Sequence, residues 1–234
     1  MKLMFGTDPE CFIRNKKSGQ FVGAEGIIPG TKNRPFKVDR GGIQVDGLAA
    51  EFNTDPADNL PDFLRNINAV KAQLTEMVEA VDKDLELVFV PYAEFDKGYF
   101  DNLPKSQKIL GCDPDYSYSG NANSSPANAD HPFRTAAGHI HIGWTEGVAK
   151  GDPVHFNDCK HVASHFYYQN LQSFIAEFPR LQRMRLQYYG MYGSFRDKSY
   201  GVELRSPDNT WVTTNDNIEK MWRFLNQQME ALGA

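Results

Sequence analysis

The sequence is poor in the features that settle a protein's class early. It has 3 cysteines among 234 residues, and Cys11, Cys112 and Cys159 are widely spaced, odd in number and without a CxxC pair. That spacing argues against a disulfide framework or a zinc knuckle, and reduced thiols in a cytoplasm are expected. No apolar run approaches the ~20 residues needed to span a bilayer, so no membrane partner is expected. Met1 to Phe5 lacks a full apolar leader segment and a small-residue cleavage site, and no signal peptide is expected. Basic excess is missing as well. The chain has 25 Lys and Arg against 30 Asp and Glu, a formal net charge of −5, which leaves no general footprint for nucleic acid. Neither a P-loop nor a Rossmann fingerprint occurs.

What the chain does have is apolar content of 41%, ample for a core, and one domain over residues 1–234 is expected. From Asp58 to about Val81, Leu60, Phe63, Ile67, Val70, Leu74, Met77 and Val81 recur at steps of three and four, which predicts an amphipathic helix. Similar stripes predict a helix from Pro153 to Phe178 and another over Ile218 to Leu232. His155, His161 and His165 fall on the second of these. With no third ligand or general base at zincin spacing, they read as surface or helix-packing histidines.

Elsewhere the period is two. Gly138-His139-Ile140-His141-Ile142-Gly143 puts both imidazoles on one strand face and both isoleucines on the other. Leu3 to Ile13 does the same with Asp8 and Glu10, and the intervening Pro9 predicts an edge strand or a bulge. Asn15 to Gly19 predicts a hairpin loop that returns through Gln20 to Gly23. In Gly42 to Asn53, Gln44 pairs with Asp46 and Glu51 with Asn53, with Gly47 placed to permit a bulge. Val202 to Arg205 alternates likewise, with Glu203 and Arg205 sharing a face. From Gly111 to Arg134 runs the longest irregular stretch, which leads straight into the two histidines and is expected to act as a lid.

Four strands thus carry polar i, i+2 pairs: Asp8/Glu10, Glu51/Asn53, His139/His141 and Glu203/Arg205. If one sheet holds them all, its open face collects carboxylates, imidazoles and guanidinium. Two carboxylates about 4 Å apart repel by ~4 kcal/mol at an effective dielectric near 20, a cost that divalent cations remove. Oxygen ligands with histidine and no cysteine suit Mg2+ or Mn2+ better than zinc. Arginines beside such metals suit a polyphosphate, and the combination points to phosphoryl transfer.

The same stretches resemble those of the glutamine-synthetase-like carboxylate–amine ligases, in particular the phage and bacterial COOH·NH2 ligase type 2 amidoligases. The resemblance rests on Gly6-Thr7-Asp8-Pro9-Glu10, Pro29-Gly30-Thr31-Lys32, Gln44-Val45-Asp46-Gly47 with Glu51-Phe52-Asn53, Gly111-Cys112-Asp113-Pro114-Asp115, Arg134 with Gly138 to Gly143, and Tyr200 to Arg205. It implies an α+β fold, a curved and mostly antiparallel catalytic sheet with helices packed on its back. It also implies an ATP-dependent ligase that forms an amide or peptide bond through an acyl phosphate, with Mg2+ or Mn2+ as cofactor. Small-molecule or peptide carboxylates and amines would be its substrates, and the cytoplasm (a host's, if phage-encoded) its location. Carried over, Asp8, Glu10, Glu51, His139 and Glu203 would be metal ligands. His141 would face a phosphate, and Arg196 and Arg205 would hold the phosphoryl group or the substrate carboxylate. Lys32, a further nucleotide contact, and Asp46 are secondary candidates. Two alternatives stay open. A metal-dependent hydrolase would use His139, His141 and the carboxylates but needs neither ATP nor the arginines; a non-catalytic binding protein would carry the polar pairs as solvated faces.

Overall fold

A computed structural model describes residues 2–108, 115–123 and 131–233. In chain order the strands are β1 (Met4–Asn15), β2 (Phe21–Val22), β3 (Phe36–Val38), β4 (Gly41–Asp46), β5 (Ala49–Thr54), β6 (Leu85–Val88), β7 (Tyr92–Glu94), β8 (Phe133–Thr135), β9 (Gly138–Gly143), β10 (Phe195–Lys198) and β11 (Gly201–Leu204). The helices are α1 (Leu60–Val81), α2 (Lys97–Asp101), α3 (Lys105–Lys108), α4 (Pro153–Tyr168), α5 (Pro179–Arg185) and α6 (Asn215–Ala231). Nine strands form one sheet in the order β10-β11-β9-β1-β5-β4-β3, with β2 and β6 added to β1, while β7 and β8 pair separately. Every named ladder is antiparallel. The chain is therefore a mixed α/β structure built on a large antiparallel sheet, with six α-helices among the described residues. None of the helices is long and apolar enough to cross a membrane, among the described residues.

The long strand β1 organises the sheet. Its first half pairs with β9 from Met4 to Pro9, Glu10 and Cys11 pair with β5, and its last residues pair with β6 and β2. Pro9 thus lies in an interior strand, not at the edge or bulge expected from the sequence. The reason is local. On the β5 side the ladder covers only Glu10 and Cys11, and just before it Thr7 donates its N–H to the Thr54 side chain, at 3.3 Å. Proline's missing donor falls in that gap.

Alternation decides what each face of the sheet does. Phe5, Ile140, Ile142, Val202 and Leu204 enter one apolar cluster with Cys159 and Phe166 of α4 and Met221, Trp222 and Leu225 of α6. Cys11, Ile43, Ala50 and Phe52 enter a second with Val70, Leu74 and Val78 of α1. The helices hold because their ends are satisfied as well as their faces. Asn59 caps α1 by accepting the Asp62 N–H at 2.9 Å, and Asp152 caps α4 by accepting from Val154 and His155, both at 2.9 Å. Each such cap contributes about 1 kcal/mol. Leu74, fully buried, would cost about 2–5 kcal/mol as alanine.

Two further expectations change. The helix predicted to reach Phe178 stops at Tyr168, because Asn170 turns left-handed at φ 57°, and Phe174 instead stacks on Phe224. Gly47 sits not in a bulge but in the tight turn of the β4–β5 hairpin, where Asp46 and Ala49 are partners and its φ is +58°. The hairpin expected after Asn15 forms as β1–β2. Of the stretch expected to act as a lid, 111–114 and 124–130 lie outside the described residues.

Candidate functional site

The registers place the polar pairs on the face opposite α1, α4 and α6. Arg196 of β10 lies across from Glu203 of β11, and Glu203 across from His141 of β9. Asp8 of β1 lies across from His139, and Glu10 across from Glu51 of β5, which in turn faces Gln44 of β4. Cross-strand partners share a face. Three strands on one side of β1 and two on the other therefore deliver their chemistry to one surface.

Close approach of the strands is needed for this, and one glycine permits it. Gly201 adopts φ +153°, and a Cβ there would meet the Ile142 carbonyl oxygen at 2.0 Å. Only glycine lets the β10–β11 turn press Tyr200 and Glu203 against β9.

Two groups of possible cation ligands result. In one, Asp8, His139 and Glu203 bring ligand atoms within 4.8 Å of one another; in the other, Glu10, Asp46 and Glu51 do the same. Asp8 stands between two imidazoles, its Oδ1 3.1 Å from His139 Nδ1 and 3.0 Å from His141 Nε2. Each imidazole is met on its other nitrogen by a tyrosine hydroxyl. His139 Nε2 lies 3.2 Å from Tyr189 Oη and His141 Nδ1 2.5 Å from Tyr200 Oη.

Glu203 is 1% exposed and is surrounded by cations. Lys198 Nζ is 2.6 Å from Oε2, Arg196 Nη1 is 3.4 Å away, and Arg205 Nη1 donates to Oε1. Arg205, itself 3% exposed, also donates through Nε to Asp115 Oδ2 at 3.1 Å and through Nη2 to Tyr189 Oη. Glu10 is held differently: its Oε2 accepts the Ala137 N–H at 2.8 Å.

These surroundings set the protonation states. Burial opposes charge on Asp8, but the facing imidazoles His141 and His139 outweigh it and hold the carboxyl well below its usual range. Burial, reinforced by Asp46, pushes Glu10 up to about 8. Glu51 is raised well above its usual value by burial and by Asp8, Glu10 and Asp46. His139 is lowered by burial and by Arg205. For His141 burial works against protonation, yet Asp8 and Glu203 prevail and raise it.

Crowded carboxylates of this kind fit a divalent cation. Two of them at about 5 Å repel by roughly 3 kcal/mol at an effective dielectric near 20, and an ion between them converts the repulsion into attraction. Carboxylate oxygens with one imidazole are a hard donor set, the type that Mg2+ and Mn2+ select.

Eight of the nine residues expected in the site therefore meet on one face: Asp8, Glu10, Glu51, His139, His141, Arg196, Glu203 and Arg205. Asp46 joins them. Lys32 does not: it is exposed on the loop beside β4 and enters no ion pair with the clustered carboxylates among the described residues. Lys198, Asp115, Tyr189 and Tyr200 belong to the site without having been assigned roles in it from the sequence. Lys198 had a signal, its i, i+2 spacing from Arg196. Tyr189 follows a short helix and had none. His155 and His165 pack as expected, onto the Lys198 carbonyl at 2.7 Å and Gln228 Oε1 at 2.9 Å. In comparison with known proteins, no family model matches the chain, and no curated sequence matches it significantly.

Proposed function

We propose that the protein is an ATP-dependent carboxylate–amine ligase, with the sheet serving as a glutamine-synthetase-like catalytic platform. One observation carries this reading. A single sheet face joins two carboxylate clusters to three cations, Arg196, Lys198 and Arg205, around one buried glutamate. A hydrolase that activates water needs the clusters but not the three cations. A polyphosphate needs both.

Glu10, Asp46 and Glu51 on one side, and Asp8, His139 and Glu203 on the other, would hold Mg2+ or Mn2+, which when bound neutralises triphosphate charge and the charge that develops in transfer. The protein's own residues supply the rest. Arg205 and Arg196 brace the transferred phosphoryl group through guanidinium N–H donors that match its oxygens. His141, raised toward its protonated form, sets a positive charge facing the phosphate. Burial of Glu203, Arg205 and His139 removes water and strengthens each of these interactions.

The chemistry has two steps. An oxygen of the substrate carboxylate attacks the γ-phosphorus of ATP, the bond to the bridging oxygen breaks, and ADP leaves. The amine lone pair then attacks the acyl carbon, the carbon–oxygen bond to phosphate breaks, and inorganic phosphate leaves as the amine proton passes to water. The substrates are small-molecule or peptide carboxylates and amines. The test is phosphate release from ATP across a panel of acids and amines with Mg2+. Release that requires both an acid and an amine is expected. Release from water alone, equal with and without them, would contradict the reading.

A further inference from the structure

Beneath the cation cluster lies a second buried guanidinium, whose charge also acts on Glu10. Arg185, at the end of α5, is 0% exposed. It donates to the backbone carbonyls of Arg205 at 3.1 Å and Ser206 at 2.9 Å, so it fixes the chain at the point where Arg205 leaves β11. The turn after α5 wraps tightly around it. Gly190 adopts φ +68°, and a Cβ there would meet Arg185 Nη2 at 2.2 Å. The same turn lays the Tyr189 ring against Arg185 and Arg205, whose guanidinium carbons lie 5.5 and 5.3 Å from the ring centroid. Tyr189 Oη then accepts from Arg205 Nη2 and meets His139 Nε2.

We propose that Tyr189, seated by Arg185, is a positioning residue that fixes two members of the site together, the Arg205 guanidinium and the His139 ring. The hydroxyl suits this role because it is both donor and acceptor. Accepting from Nε2–H, as it accepts from Arg205 Nη2, it holds the His139 tautomer protonated at Nε2. The Nδ1 lone pair, on the side of Asp8 and Glu203, is thereby free for a cation. Partners of this kind behind a liganding histidine typically change metal affinity or activity by about 10–100-fold when removed. The Arg205 part of the proposal rests on the ligase reading; the His139 part needs only a cation at Asp8, His139 and Glu203.

Tyr189→Phe keeps the ring against the guanidinium groups and removes only the hydroxyl, so the fold is expected to persist, with a melting temperature lowered by no more than about 10 °C. Two readouts separate the parts. Mn2+ titration followed by calorimetry or electron paramagnetic resonance is expected to show affinity about tenfold weaker. Phosphate-release kinetics are expected to show kcat about tenfold lower with KM for ATP within about twofold. Tyr192→Phe, at an exposed ring, is the matched control. Unchanged Mn2+ affinity overturns the His139 part, and unchanged kcat overturns the Arg205 part. If the wild-type protein releases no phosphate with any acid and amine, the ligase reading fails, while the Mn2+ titration still decides Tyr189.

Discussion

At the β5 end of the polar face, Glu10, Asp46 and Glu51 crowd together; the Ala137 N–H and the Gln44 side chain bond to them, and the Arg205 and Arg185 charges act on Glu10. At the β11 end, one buried glutamate meets three cations, and Asp8 sits between two imidazoles. The consequence is opposite protonation: Glu10 is pushed up to about 8 and Glu51 well above its usual value, whereas Asp8 is held well below. Identical side-chain chemistry on a continuous surface is tuned by neighbours alone. The β11 end is charge-balanced by the protein itself. At the β5 end burial and mutual repulsion outweigh the Arg205 and Arg185 charges that act on Glu10, so protons or a cation brought from outside complete the balance.

The comparison breaks most sharply at Glu203. Glu203→Gln leaves Arg196, Lys198 and Arg205 facing a neutral amide, and the loss of a buried partner is expected to cost about 3–5 kcal/mol. Chemical denaturation would register it, together with loss of Mn2+ binding at that end. Arg205→Ala leaves Glu203 with Lys198 and Arg196, so Mn2+ binding should survive. Turnover should fall by about a thousandfold, the scale of an arginine that braces a transferred phosphoryl. Wild-type turnover in that variant would remove Arg205 from the chemistry.

At the β5 end the sign should reverse. Glu51→Gln removes a carboxylate that its neighbours repel, and in metal-free protein at pH 8 it is expected to stabilise by on the order of 1 kcal/mol. The pH dependence follows from Glu10, whose value rises from 4.5 unfolded to about 8 folded. Between those values the native state binds more protons than the unfolded state, so metal-free stability falls as pH rises from 5 to 8. Saturating Mg2+ should cancel that slope, since it takes the place of the protons. Melting temperatures across pH with EDTA and with Mg2+ measure both. The smallest effect is expected at Lys32→Ala, within about 0.5 kcal/mol in stability and without change in KM for ATP.

How much of this was legible in the sequence follows from where each residue sits. His139 and His141, Glu203 and Arg205, and Asp8 and Glu10 could be read because they alternate with core residues, and a period of two needs no knowledge of partners. Register could not be read. Nothing local says that Asp8 lies across from His139 or Glu10 from Glu51, because the paired strands are separated in the chain by other elements. Pro9 misled for the same reason. Its lack of a donor matters only on the side where the β5 ladder is absent, and that side is a property of the sheet. Gly47 supports a bulge or a turn equally well until the Asp46–Ala49 pairing is known. Tyr189 and Asp115 lie in irregular chain, where spacing carries no face, and Asn170 ends α4 through a backbone conformation that the apolar stripe does not encode.

The central claim is that the two ends work together on a metal-bound polyphosphate. Thermal unfolding with a non-hydrolysable ATP analogue, in Mg2+ and in EDTA, tests it most directly. At analogue about a hundredfold above Kd, the melting temperature should rise by roughly 5–10 °C in Mg2+ and stay unchanged in EDTA. No shift in Mg2+ at saturating analogue would contradict the account.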